Sequence, residues 1–146
     1  MAEPVRVIQR PGGVILALSL VLTVVISIAA DFNATHLFNP AWPPHAVFHD
    51  AAMLHLLTGT GLVALWLIIR PTREPEVAAF VAWAVPLIFW SPFFWVTLVL
   101  PNASLQAIPG PPPQIAGITI LPNVVAAGVL ILLSTFGYRR FRRRGT

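Results

Sequence analysis

Four long apolar runs separated by short polar stretches dominate the hydropathy pattern of this 146-residue chain. They cover about residues 14–30, 51–69, 77–100 and 115–138. A helix needs about 20 apolar residues to cross the hydrocarbon core of a bilayer, and each run lies within or near that range. None alternates with the period of two that a barrel strand requires, and lipid admits only helices or closed barrels as spanning structures. The pattern predicts an all-α integral membrane four-helix bundle, one transmembrane domain over residues 1–146. Its spans fall at about 14–30, 45–69, 77–100 and 115–138. The second span reaches back to residue 45 if Pro44 takes the first helical position, where a missing N–H costs nothing. If Asp50 caps the helix instead, the span begins at Ala51, and His45 and His49 belong to the preceding loop.

The charges give these spans a direction. All nine basic residues are arginines. Arg6 and Arg10 precede the first run, Arg70 and Arg73 lie between the second and third, and Arg139, Arg140, Arg142, Arg143 and Arg144 follow the fourth. The other two connections contain no Lys or Arg, so the positive-inside bias predicts an N-in/C-in arrangement with both termini cytoplasmic. Composition agrees: 57% of the residues are hydrophobic and 10% charged, and the mean hydropathy is +0.81. A soluble domain carries about 25% charged residues. The basic balance does not point to nucleic acid, because the arginines sit at helix ends, where they anchor to anionic headgroups. There is no cysteine, which excludes disulfides, thiolate metal sites and cysteine nucleophiles. The first run resembles a signal peptide, but its apolar stretch exceeds the usual 7–15 residues or so, and it reads as a membrane anchor. The expected location is a multi-pass position in a bacterial inner membrane.

Polar and aromatic residues then mark individual spans. Ser19, Thr23 and Ser27 recur every four residues in the first, and Asp31 continues the line. Such a stripe serves close helix packing, or forms a polar track towards Asp31. In the second, Gly59 lies one turn from His55 on the same face, where another backbone or a flat ligand has room. The third contains Pro86 and Pro92, with Phe80, Trp83, Phe89, Trp90, Phe93, Phe94 and Trp95 crowded along it. Trp83 and Trp95 suit the two interfacial belts, whereas Phe89 and Trp90 lie roughly 20 Å from the inner end. Proline kinks open space between helices, so an aromatic-lined cavity for an apolar ligand stands beside ordinary packing as a reading. Asn123, after Pro122, places an amide inside the fourth run, where it needs a partner. The connection Pro101–Gln114 has five prolines and no charge, and reads as a stiff lid over the bundle. Asn33-Ala34-Thr35 and Asn102-Ala103-Ser104 match the glycosylation pattern, but both hug the membrane and the pattern is common by chance.

All four histidines, His36, His45, His49 and His55, gather at the end of the bundle away from the arginines. His45 and His49 share a helix face at i and i+4, while His49 and His55 are about 120° apart around the axis. Three readings compete. The histidines are a solvated interfacial cluster with Asp50 as a helix cap; or they form a metal or haem site, with His45 and His49 as ligands and Asp31 or Asp50 supporting them; or they carry out metal-free acid–base catalysis, one histidine as base and another as acid beside Asp31 or Asp50. His-x-x-x-His without an intervening Glu does not complete the zinc-protease motif. Two histidines on one face also cannot clamp a haem from both sides. Glu74 and Glu76 lie at the arginine end, too far away to take part.

Trp42 shortly before the second span, then His49, then a polar residue six positions on at His55, resembles the pattern of styrene oxide isomerase-like membrane enzymes. In those proteins the last position is Asn, and no carboxylate corresponds to Asp50. The resemblance implies a four-helix membrane enzyme assembled as a trimer. It further implies that His49 ligates a haem b whose iron acts as a Lewis acid on an epoxide oxygen. The run Asn39-Pro40-x-Trp42-x-x-His45-x-x-x-His49 is also similar to one in small bacterial membrane proteins of unassigned function, and carries no mechanism.

The expectation is a membrane enzyme acting on a small lipophilic molecule that enters from the lipid bilayer, with epoxide-like isomerisation or ring-opening as its most concrete form. The catalytic candidates are His49, His55, Asp50 and Asp31. Trp42, His45, Phe89, Trp90 and Asn123 are expected to bind substrate, with His36 nearby in a less directed loop position. His45 and His49 are the candidates for a divalent metal, and a homo-oligomer is expected. A non-catalytic accessory subunit of a membrane complex, or a metal-handling protein, is the alternative. The orientation is testable directly: single cysteines at Ala41→Cys and Ala107→Cys should react with an impermeant thiol reagent in whole cells, and Thr72→Cys should not. Labelling of Thr72→Cys alone would reverse the topology.

Overall fold

A computed structural model describes residues 3–106 and 110–143, so Ala107, Pro109 and Arg144 lie outside the described residues. Helices α1 (Gly13–Asp31) and α2 (Pro44–Ile69) are followed by α3 (Pro75–Trp90), which continues into a 3-10 turn at Ser91–Phe94. The short α4 (Val96–Val99), a hairpin of β1 (Gln114–Ile115) and β2 (Ile118–Thr119), and α5 (Pro122–Arg142) complete the chain. Four helical segments, α1, α2, Pro75–Phe94 and α5, are long and apolar enough to cross a membrane. The protein is mainly helical and has the character of a multi-pass membrane protein.

Prolines set the starts of three helices. Pro44, Pro75 and Pro122 each occupy the first turn, where the absent N–H would have had no helical partner. Helix α2 therefore begins at Pro44, which puts His45 and His49 on the helix and Asp50 inside it rather than at its cap. Glu74 flanks α3, and Glu76 sits in its first turn, where a carboxylate complements the helix dipole.

Two expected spans are shortened. The third does not run as one α-helix to residue 100: Pro86 is accommodated inside α3, but the α-helical hydrogen bonding stops at Trp90, just before Pro92. Proline lacks the N–H that would bond back along the helix, and its ring crowds the carbonyl one turn earlier, so the turn tightens there while Ser91 itself keeps helical dihedrals, φ −59° and ψ −34°. The fourth span begins at Pro122 rather than near 115, because residues 114–119 form an antiparallel hairpin. Its turn, Ala116-Gly117, holds both residues at positive φ, 51° and 78°, as a twisted two-residue hairpin turn requires.

Helices α1 and α3 form the short diagonal of the bundle, with α2 and α5 on opposite sides, each packed against both. Among the described residues the backbones of α2 and α5 do not approach each other closely. At the arginine end the packing is close. Leu16, Leu20, Ala64, Ile68, Ala78, Ala79 and Ala82 form a buried cluster with Val7 and Phe141, and Val5 exchanges two backbone hydrogen bonds with Thr72 (2.8 and 2.9 Å). Small residues on facing helices permit this approach. A second, smaller cluster of Trp90, Ala127 and Leu130 lies further along, bordered by Phe89 and Phe93. Trp83 stacks on Tyr138 at 5.1 Å, and its indole N–H donates to Thr135 Oγ1 (3.1 Å).

Gly12 sits at a close approach between the start of α1 and α5. Its φ is +87°, and a Cβ there would run into the Gly137 carbonyl oxygen and the Phe141 amide. Gly59, by contrast, has nothing within 4 Å of the position a Cβ would take. Gly12→Ala should therefore cost at least about 2 kcal/mol, whereas Gly59→Ala should be neutral or stabilise by about 0.5–1 kcal/mol. Thermal unfolding of the two detergent-solubilised variants, followed by circular dichroism, checks this. Equal behaviour would contradict the packing described.

Candidate functional site

Towards the histidine end the bundle opens into a cavity of about 1050 Å³, slightly above the usual range of small-molecule sites, about 300–1,000 Å³. Ile26, Ser27, Ala30 and Asp31 of α1 form one wall, and Phe89, Trp90, Pro92 and Phe93 form another. Pro122, Asn123 and Ala126 of α5 form the third. Two connections cover it: His36 and Trp42 come from the α1–α2 loop, and Ser104, Leu105, Gln106, Gly110, Pro111 and Pro113 from the proline-rich segment. The described part of that segment thus lies over the bundle.

The aromatic wall is held by the stripe on α1. Trp90 is buried, and its indole N–H donates to Thr23 Oγ1 (3.1 Å). Phe89 and Phe93 meet Trp90 edge-on and tilted, at 4.9 and 5.2 Å. Ser19 satisfies itself on the Leu16 carbonyl (2.9 Å). The stripe is therefore buried packing for Ser19 and Thr23, and reaches the cavity at Ser27 and Asp31. Asn123 Nδ2 donates to the Leu105 carbonyl (2.7 Å), so this amide finds its partner in the covering segment and fastens it to the start of α5.

The polar corner is built by the loop after α1. Asn33 Nδ2 donates to the carbonyls of Ala29 and Ala30 (3.2 and 2.6 Å), satisfying the end of α1 and identifying the other amide atom as Oδ1. That oxygen accepts from the Thr35 amide (2.8 Å) and lies 2.6 Å from Thr35 Oγ1. An amide oxygen can only accept, so the single hydroxyl proton of Thr35 goes to it. Thr35 Oγ1 is also 2.9 Å from His36 Nδ1, and with its proton committed it accepts from Nδ1–H. Nε2 is left as the histidine nitrogen not engaged by the loop, and it lies 3.7 Å from Asp31 Oδ1. That separation is within ion-pair reach but too long for a direct hydrogen bond. Trp42 meets the His36 ring edge-on at 5.4 Å, and Asn39 holds the turn through the Thr35 carbonyl (3.2 Å) and the Ala41 amide (3.0 Å).

Of the expected site residues, Asp31, His36, Trp42, Phe89, Trp90 and Asn123 come together in this cavity, and the remaining histidines do not. His45 and His49 are exposed on α2, their Nε2 atoms 2.9 Å apart, and His55 is exposed further along the same helix. Asp50 is half-buried beside the corner, near enough for its charge to act on Asp31. Its Oδ2 is buried without a hydrogen-bond partner. Sequence reasoning misses Asn33 and Thr35, which show only a glycosylation pattern there. The available signal is an Asn and a Thr at the end of a helix immediately before a histidine, the residue types that bond locally to backbone and neighbours.

Among the described residues no group of three or more His, Cys, Asp or Glu is placed to hold a metal ion. His45 and His49 present a two-nitrogen edge short of a three-ligand site. Of the four histidines only His36 lines the cavity, with Nδ1 bonded to Thr35 and Nε2 facing Asp31, and His49, the haem ligand that the resemblance implies, is exposed on α2 outside it. What the corner can do is exchange a proton between Nε2, Asp31 and a bound molecule, next to apolar walls. No curated protein and no solved structure matches the chain. Residues 15–146 match a family of unknown function, DUF6640, and the chain belongs to that family.

Proposed function

We propose that this protein is an integral membrane enzyme that performs acid–base chemistry on a small lipophilic molecule, at the Asp31–His36 pair. The observation that carries the reading is the coincidence, in one cavity, of an aromatic wall with a tautomerically defined histidine facing a carboxylate. Apolar pockets with a few convergent polar groups are the usual form of small-molecule sites. With both arginine-flanked termini cytoplasmic, the cavity opens on the outer side of a bacterial inner membrane, where a substrate can arrive from the bilayer.

The most concrete version is isomerisation of an epoxide. His36 carrying a proton on Nε2 donates it to the ring oxygen as the C–O bond breaks. The carboxylate of Asp31 takes a proton from the adjacent carbon as the C=C bond forms. The product is an allylic alcohol, and transfer of the proton from Asp31 to Nε2 restores the starting state. No other reactant is consumed. A positioned acid or base contributes about 10²–10⁴-fold to such a step.

A second reading has its own observation. His45, His49 and His55 face outward on α2, with the open surface at Gly59 on the same helix. Ionisable side chains within spans almost always face protein or a water-filled cavity. This face therefore suits a subunit interface, in a homo-oligomer or as an accessory subunit of a membrane complex.

His36→Ala and Asp31→Asn should each lower turnover of an epoxide panel in purified membranes at least about 100-fold. His45→Ala and His49→Ala should retain it, with every variant checked for monodispersity by size exclusion. Loss of activity in His49→Ala with His36→Ala unaffected would move the site to α2. A Soret band in the purified protein's absorption spectrum would replace metal-free chemistry with a haem centre.

A further inference from the structure

Ser27 stands apart from the other hydroxyls of the spans. Thr58 and Thr60 bond carbonyls in the preceding turn of their helix, as do Ser19 and Ser134, and Thr23 receives the Trp90 indole. That is the ordinary way for a serine or threonine to be tolerated in a membrane helix. Ser27 is only 2% exposed, and its Oγ has no partner. An unsatisfied buried hydroxyl costs about 1–3 kcal/mol, and the carbonyl of Thr23 one turn back offers the usual remedy. The residue lines the cavity, one helical turn from Asp31, a rise of about 6 Å. A neighbouring wall residue, Trp90, has its only donor committed to Thr23, so it cannot supply the missing bond.

We propose that Ser27 is a ligand-binding hydroxyl that holds a second oxygen of a lipophilic substrate, one helical turn deeper than the Asp31–His36 pair. This inference rests on the reading of the cavity as a site for lipophilic molecules. It narrows the substrate class to compounds with two oxygen functions separated by a rigid apolar spacer. One oxygen lies at the acid–base pair and the other at Ser27, with the spacer against Phe89, Trp90 and Phe93. The unmet hydrogen bond is completed by the ligand, and a substrate lacking the second oxygen leaves it unmet, which is how a buried polar group confers selectivity.

The test compares two probes of similar size: 4-hydroxybenzyl alcohol, with oxygens at both para ends of one ring, and 4-methylbenzyl alcohol, which lacks the second. Each is titrated calorimetrically into the full-length protein in detergent, with protein-free micelles as the reference. The wild-type protein should prefer the two-oxygen probe by about five- to tenfold, the worth of one hydrogen bond. Ser27→Ala should abolish that preference while leaving affinity for 4-methylbenzyl alcohol unchanged, and Ser27→Thr, which keeps the hydroxyl, should restore it. Ser27→Ala should also unfold at the same or a higher temperature, because it removes an unsatisfied buried group; a purely structural serine would lower it. A preference untouched by Ser27→Ala, or a destabilised Ser27→Ala, overturns the proposal alone. Failure of the wild-type protein to take up either probe overturns it together with the lipophile-site reading.

Discussion

The contact on which the rest of this bundle depends is the near-touching of backbones at Gly12 and Gly137. With no side chain between them, the start of α1 meets the end of α5 at carbonyl distance, and Phe141 and Val7 close over the junction. Lipid gives helices no hydrophobic reason to associate, so association comes from packing and from bonds between helices. Small residues concentrated at one end make that end tight. At the other end the same helices carry Trp90, Phe89 and Phe93, and α3 gives way to a 3-10 turn at Pro92. Bulk and broken helix prevent the same approach there. The cavity is the consequence of this asymmetry along the bundle axis.

Polar groups inside such a fold have to find partners, and following them shows where the fold ends and the site begins. Ser19, Ser134, Thr58 and Thr60 are satisfied within their own helices, and Thr23 and Thr135 take the indole protons of α3. Asn123 is used up in fastening the covering segment. The atoms left over among the described residues, Ser27 Oγ and Asp50 Oδ2, lie at or beside the corner that holds Asp31 and His36. Incomplete bonding of buried side chains is thus gathered at the cavity rather than spread through the bundle.

The loop after α1 shows how a flexible-looking segment acquires direction. His36 is not on a helix, yet a chain of acceptors and donors from the end of α1 through Asn33 and Thr35 determines which of its nitrogens is available. Helix geometry alone would have favoured His45 and His49 for chemistry, since they are rigidly spaced at i and i+4. Their helix turns that face outward, so the rigid pair meets the surroundings and the loop histidine meets the cavity.

Much of this protein was legible in its residues. Apolar run length specified four helices long and apolar enough to cross a membrane, because the cost of exposing backbone to lipid leaves such a run few alternatives. Proline at a helix start offered Pro44 as the beginning of α2, with Asp50 as the competing cap, and the stripe Ser19, Thr23, Ser27 and Asp31 marked one face of α1, because both are local properties of a helix; the structure decides for Pro44. The aromatic crowding at Phe89 and Trp90 and the amide of Asn123 were likewise visible as candidates. Which candidates meet was not. The shortening of the third and fourth segments depends on how Pro92 and the Ala116-Gly117 turn compete with apolar content. The choice of His36 over His45, His49 and His55 depends on the rotation of α2 about its own axis. That rotation is decided by the packing of Leu54, Leu57, Gly61 and Ala64, small and apolar side chains on the face opposite the histidines it orients. Periodicity records what one helix can bury, and only the assembled bundle decides which neighbour it is buried against.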